Sequence, residues 1–263
     1  MWRVGNTLKK PLKLILFFCF LSSAFAADYQ SKIDAFSSGT IEGLVKFPGE
    51  APPSIMFGNR ADPACPAGIP QGNLFVEPRH RGIKNALVIL SIKEGKPMVL
   101  GAKADLVLSQ CFFAPRVMAL PVGTSLTFKN QDNTRHSIHA WIDDVTVFAV
   151  DVPAQSKSVH RPLEQESAFY QVTCDRHLWE TSWIYVTANP YVTVTDDKGE
   201  FKLTQVPPGH YQIRAWHEGW GTPKKDKNGH PLRQPEEETL DVSVHTNHTT
   251  EVTFEGLAPT FHE

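Results

Sequence analysis

The chain has 263 residues, with 26 Lys and Arg against 28 Asp and Glu, for a formal net charge of −2. So mild an acidity argues against nucleic acid or an anionic membrane as the main partner. The length admits one large or two small domains, each able to bury a core.

The first residues read as a targeting segment. Arg3, Lys9, Lys10 and Lys13 precede a short apolar run from Leu14 to Leu21, and Ala24-Phe25-Ala26 supplies a small-x-small cleavage pattern. This is the form of a secretory signal peptide over residues 1–26, and it predicts export to the periplasm. Cleavage removes four positive charges and no acid, which moves the net charge from −2 to about −6. The apolar run is too short to span a bilayer. Cys19 follows Phe18 rather than a small residue, so no lipid anchor is expected, and no later run is long enough for a transmembrane segment.

Apart from a few residues near Asp28 to Phe36, no segment holds a helical period. Strand signals are dense instead. Thr40 to Phe47, Asn85 to Ser91, Ser125 to Lys129, Phe169 to Cys174, Trp183 to Thr187, Tyr211 to Trp216, Leu240 to Val244 and Thr250 to Phe254 are rich in β-branched and aromatic residues. Gly, Pro and Asn-Asp clusters break them at the spacing of β-sandwiches, including a hairpin signal at Asp196-Asp-Lys-Gly199 and a turn at Pro207-Pro-Gly209. The predicted class is all-β, in three blocks after the signal: residues 38–100, 101–187 and 188–258. A hydrophilic loop from Gly221 to Glu238 interrupts the last block. Asn247-His-Thr249 has the form of a glycosylation acceptor and is read as chance in an exported bacterial-looking chain.

Three cysteines follow the signal: Cys65, Cys111 and Cys174. In an oxidising compartment two should pair and the third needs a role. Cys174 lies among histidines, so Cys65–Cys111 is the expected disulfide and Cys174 the free thiol.

The central block holds Asn130-Gln-Asp-Asn-Thr-Arg-His136-Ser-Ile-His139, then Cys174-Asp-Arg-His177-Leu-Trp-Glu180. A mononuclear copper site for electron transfer needs one thiolate and two imidazoles near one plane, with a weak axial group. A strand ending at Cys174 and a tight loop returning His177 supply two of these donors. His136 and His139 are three apart, so on a strand they face opposite sides and one of them completes the set. The other is expected at the surface or supporting a ligand.

Taken in order, these segments resemble a known family: exported cupredoxin-like proteins with a carboxypeptidase-regulatory-like (transthyretin-like) β-domain, some labelled methylamine-utilisation proteins. The likeness runs from about Ile41 to about Gly221. It rests on Gly43-Leu-Val-Lys-Phe47, Cys111-Phe-Phe-Ala-Pro115, His136-Ser-Ile-His139, Cys174 to Trp179, Asn189-Pro-Tyr191, Thr195 to Phe201, Val206-Pro-Pro-Gly209 and Trp216-His-Glu218. It implies a cupredoxin-like Greek-key sandwich at 101–187 and a regulatory-like sandwich at 188–258, to which the 38–100 segment lends strands. It also implies a copper ion held by His136, Cys174 and His177. The family pattern places an axial methionine where this chain has Glu180. A coordinating carboxylate favours Cu(II) and a more tetragonal, red or green site, and Cys, two His and Glu also make an acceptable zinc set.

Trp179 is expected as a lid on the ligand loop, and Trp216-His217-Glu218 as a packed strand end. His80, His160, His210, His230, His245, His248 and His262 lack ligand spacing. With no nucleophile elbow, phosphate loop or marked carboxylate pair, an enzyme is not expected. The expected function is copper binding for electron transfer or copper holding, with a periplasmic redox or envelope protein as partner. Two alternatives stand beside it: an envelope interaction protein with a degenerate metal site, and a copper or zinc enzyme with an open coordination position.

Overall fold

The structure, a computed structural model, describes residues 37–49, 56–57, 62–66, 69–70, 75–92, 102–143, 145–219 and 235–257. The signal pattern at 1–26, the short helical period near 28–36 and most of the 221–238 loop lie outside these residues. Among the described residues all regular structure is strand, which meets the all-β expectation. No helix among them is long and apolar enough to cross a membrane.

The strands are β1 (Gly39–Val45), a short ribbon of β2 (Met56–Phe57) and β3 (Ile69–Pro70), β4 (Leu87–Ser91), β5 (Lys103–Ser109), β6 (Phe112–Ala114), β7 (Val117–Pro121), β8 (Thr124–Asn130), β9 (His136–Ile142), β10 (Val145–Val152), β11 (Lys157–Leu163), β12 (Ala168–Cys174), β13 (Thr181–Thr187), β14 (Val192–Val194), β15 (Glu200–Val206), β16 (Gly209–His217), β17 (Glu236–Val244) and β18 (Thr249–Phe254). Five of them form one sheet in the order β10-β9-β12-β13-β7, which faces a second in the order β11-β8-β5-β6. Between these sheets lie Leu106, Leu126, Phe128, Ile138, Tyr170, Val172, Ile184 and their neighbours. This sandwich carries every ligand expected from the sequence.

A second sandwich stacks β15-β1-β18 on β14-β4-β16-β17. Its core includes Ile41, Val45, Leu90, Phe201, Ile213, Val244 and Phe254. The early strand β1 runs parallel to β18 and antiparallel to β15. The Asp196–Gly199 turn expected to close a hairpin instead carries the chain from β14 in one sheet to β15 in the other, where the two strands pair with β4 and β1. Asp196 Oδ1 accepts from the Lys198 and Glu200 amides at 2.8 and 2.9 Å, and Gly199 takes φ +79°. That turn lies so close to Gly82 that a Cβ on Gly82 would sit 1.6 Å from the Lys198 carbonyl oxygen.

Every residue of β13 is buried, so it has no solvent face. Ile184 and Val186 point into the first core, whereas Trp183 and Tyr185 point the other way, into a third cluster with Leu87, Ile89, Val117 and Trp216. This cluster joins the two sandwiches. Phe169 stacks on Trp216 with ring centroids 4.4 Å apart. A buried ion pair reinforces the joint: Arg116 Nε and Nη2 donate to the two Glu218 oxygens at 2.6 and 2.8 Å, and Trp183 Nε1 donates to Glu218 Oε2 at 3.1 Å.

Candidate metal centre

The strands deliver the expected donors to one end of the first sandwich. On β9 the burial alternates, with His136, Ile138 and Ala140 inward and Ser137 and His139 outward. Cys174 closes β12, and its neighbour Asp175 donates its amide to the Ser137 carbonyl at 2.9 Å. The connection to β13 is tight, because the Glu180 amide donates back to the His177 carbonyl at 2.9 Å. That turn brings the His177 and Glu180 side chains to the same side as Cys174.

Four side chains then converge. The Nδ1 atoms of His136 and His177 lie 3.2 Å apart, and Cys174 Sγ lies 3.7 and 3.6 Å from them. A triangle with sides of 3.2, 3.6 and 3.7 Å has its centre about 2.0 Å from each corner, the length of a metal–imidazole bond and slightly under a metal–thiolate bond. Glu180 caps the imidazole edge, with Oε2 3.0 Å from His136 Nδ1 and Oε1 3.0 Å from His177 Nδ1. Its Oε1 makes no well-formed hydrogen bond although it is fully buried, which fits an oxygen positioned for a cation. His136, Cys174 and Glu180 have no exposure, and His177 has 2%.

Each histidine turns its other nitrogen to a carboxylate. His136 Nε2 lies 3.0 Å from Asp132 Oδ2, and His177 Nε2 lies 3.1 Å from Asp62 Oδ2. Such outer carboxylates fix the tautomer that leaves Nδ1 free for a metal and make the ring a better donor. Asp132 is itself held by the amides of Gln110 and Cys111 at 2.6 and 3.0 Å. These two residues sit at φ +54° and +58° in the β5–β6 turn, which aims both amides the same way. Asp62 accepts from Thr134 Oγ1 at 2.7 Å.

The disulfide joins Cys65 to Cys111, and Cys174 is a free, buried thiol. The bridge fastens the 62–66 segment over His177. Trp179 packs on the two disulfide cysteines and donates its indole N–H to the Cys111 carbonyl at 3.0 Å. Cys111 also offers a sulfur within 4.8 Å of ligand atoms of His136, His177 and Glu180. That sulfur is committed to the disulfide, which leaves Cys174 as the free thiol beside the two imidazoles.

The electrostatics match an ion-binding role. Burial alone would depress His136, but hydrogen bonds with Cys174 and Glu180 and the charge of both groups outweigh it and push its pKa up to about 9. The same opposition pushes His177 up to about 10. The imidazoles in turn outweigh the burial that would raise Cys174 and Glu180, and hold both below their ordinary values. Ionised, the Cys174 thiol and the Glu180 carboxyl would together carry two negative charges in a dry site. A divalent ion neutralises them, whereas a monovalent ion leaves one buried charge uncompensated.

A family model described as the second β-sandwich domain of NOMO1-like BOS complex subunits matches residues 187–252, the span of β14 to β17 and most of β18. No curated protein matches the chain. Among solved structures, the chain is similar to a purple cupredoxin from Nitrosopumilus maritimus, at 22% identity over 32% of this chain and 99% of that one, with a TM-score of 0.29. A reduced amicyanin mutant matches at 15% identity over 39% of this chain and 98% of its own, with a TM-score of 0.29. The copper-containing nitrite reductase of Thermus scotoductus SA-01 matches at 22% identity and a TM-score of 0.28; the match covers 35% of this chain and 25% of the reductase.

His139 stands apart from the converging donors. It stacks on Trp141, with ring centroids 3.7 Å apart, and its nitrogens face Thr146 Oγ1 at 3.0 Å and Asp175 at 3.4 Å. Asp62, Asp132 and Thr134 were not singled out in the sequence. The Asn130-Gln-Asp132 run carried a signal, because Asn130 Oδ1 accepts the Asp132 amide in a local turn that aims the carboxylate at His136. Nothing near Asp62 in sequence marks its partner, which lies 115 residues away.

Proposed function

We propose that this chain is an exported, non-enzymatic copper protein that binds one ion through His136, Cys174, His177 and Glu180, for electron transfer or copper holding. The observation that carries the reading is the convergence of one free thiol, two Nδ1 atoms and a buried carboxylate within 3.0 to 3.7 Å. Copper supplies one-electron chemistry when bound. The protein's own groups hold the donors in a fixed geometry, exclude water and fix the imidazole tautomers through Asp62 and Asp132. Near-complete burial of all four donors supports a closed centre rather than one with an exchangeable substrate position. The ordered motifs resembling exported cupredoxin-like proteins support the same reading, and the signal pattern at 1–26 supports a periplasmic location with an envelope redox protein as partner.

The second reading is zinc, favoured by Glu180. Two anionic donors balance a divalent ion, and their charge disfavours Cu(I), which lowers the potential of any copper couple. Elemental analysis of the protein purified from its export compartment separates the two readings. The copper reading expects about one copper per chain and a reversible one-electron couple. About one zinc per chain with no couple establishes the zinc reading, and no bound metal establishes the degenerate, interaction-protein reading.

A further inference from the structure

We propose that reduction of the Cys65–Cys111 disulfide opens a second cation site, formed by Cys65, Asp62 and the outer nitrogen of His177. Cys65 Sγ lies 3.6 Å from His177 Nε2, and Asp62 Oδ2 lies 3.1 Å from the same nitrogen. The ligand atoms of the three residues lie within 4.8 Å of one another. These separations match those of the donor triangle on the other side of the same imidazole. His177 therefore has one nitrogen aimed at each cluster, and the Asp62 side chain, 15% exposed, opens the outer one to solvent.

The disulfide closes this site chemically. A sulfur bonded to sulfur is neutral and a poor donor, so only Asp62 and His177 remain. Two electrons and two protons from a dithiol break the Sγ–Sγ bond and leave two thiols, while the dithiol closes to its own disulfide. A metal ion then displaces the Cys65 thiol proton and the His177 Nε2 proton, so that the imidazole bridges the two sites. Thiolate, imidazole nitrogen and carboxylate suit a d10 ion such as Zn(II), with Cu(I) the softer alternative. The released Cys111 thiol lies on the inner side, near His136 and Glu180. Metal capacity would thus follow the thiol redox state of the compartment. The site shares His177 with the proposed centre but does not require copper there.

Zinc titration with native mass spectrometry of the mature chain tests this. Four proteins are compared: oxidised wild type, wild type reduced with dithiothreitol and desalted anaerobically, Cys111→Ser, and Cys65→Ser/Cys111→Ser. The expected uptake is one ion for the oxidised chain, two for the reduced chain, two for Cys111→Ser without reductant, and one for the double variant. Cys65 should also become protected from alkylation by zinc. Equal uptake by Cys111→Ser and the double variant, with Cys65 still alkylated in zinc, overturns the proposal. If Cys111→Ser does not fold, the reduced and oxidised wild type decide it by the same two readouts. An oxidised chain that binds no ion counts against the proposed inner centre alone, since the one-ion difference still reports the second site.

Discussion

Glu180 sits where its two oxygens each face an imidazole nitrogen at 3.0 Å, so its charge acts on the whole centre. Changing Glu180→Met removes one anion and supplies a weak, soft donor; the Cu(II)/Cu(I) potential should rise and the spectrum should move toward blue. Spectroelectrochemistry checks this, and an unchanged potential would mean that the carboxylate does not coordinate. Asp132→Asn keeps the donors but removes the negative charge behind His136 and turns one of the two accepting oxygens into an N–H donor, and metal affinity should fall by roughly 10- to 100-fold in a competition titration. The metal-free centre holds extra protons, because both histidines titrate above their ordinary value. With the two Nδ1 atoms 3.2 Å apart, repulsion limits double protonation, so ion binding should expel at least one proton. Affinity should therefore rise with pH up to about 10 and level off above it; a flat profile below that value would contradict the arrangement. Residue type and spacing group Cys174 with His177, and strand alternation admits only one of His136 and His139 beside them; the choice of His136 comes from the family resemblance. The supporting carboxylates were not, since a lone Asp in a loop carries no sign of a partner far along the chain.

At the scale of elements, the first sandwich depends on its joint with the second. The strands β4, β8, β12, β13 and β16 followed from β-branched and aromatic runs. The edge strand β10 did not, because most of its side chains face solvent and its apolar residues do not form a clean alternation. The joint was legible only in part: Trp216 looked like a packed aromatic, but the pairing of Arg116 with Glu218 spans 102 residues. Removing one partner of a buried pair leaves an uncompensated charge, so Arg116→Ala should destabilise the chain by about 3 kcal/mol or more. Denaturant unfolding measures this, and a loss below about 1 kcal/mol would show that Glu218 is satisfied without Arg116.

For the whole molecule, the sandwich that carries the candidate donors is not self-contained. Residues 101–187 alone would lack Asp62 and Cys65 and would expose Val117, Phe169, Trp183 and Tyr185, which now face the second sandwich. That fragment should bind a hydrophobic dye, self-associate and hold metal more weakly than the full chain; a monomeric fragment with undiminished affinity would contradict this. Cys174 is the proposed thiolate of the inner metal centre. The most direct measurement is the optical and EPR spectrum of the mature chain during Cu(II) titration, beside the Cys174→Ser variant. An intense thiolate-to-copper band should appear, saturate at about one copper per chain and be absent in Cys174→Ser. A chain that shows no such band, or one whose band survives the loss of Cys174, would contradict that role.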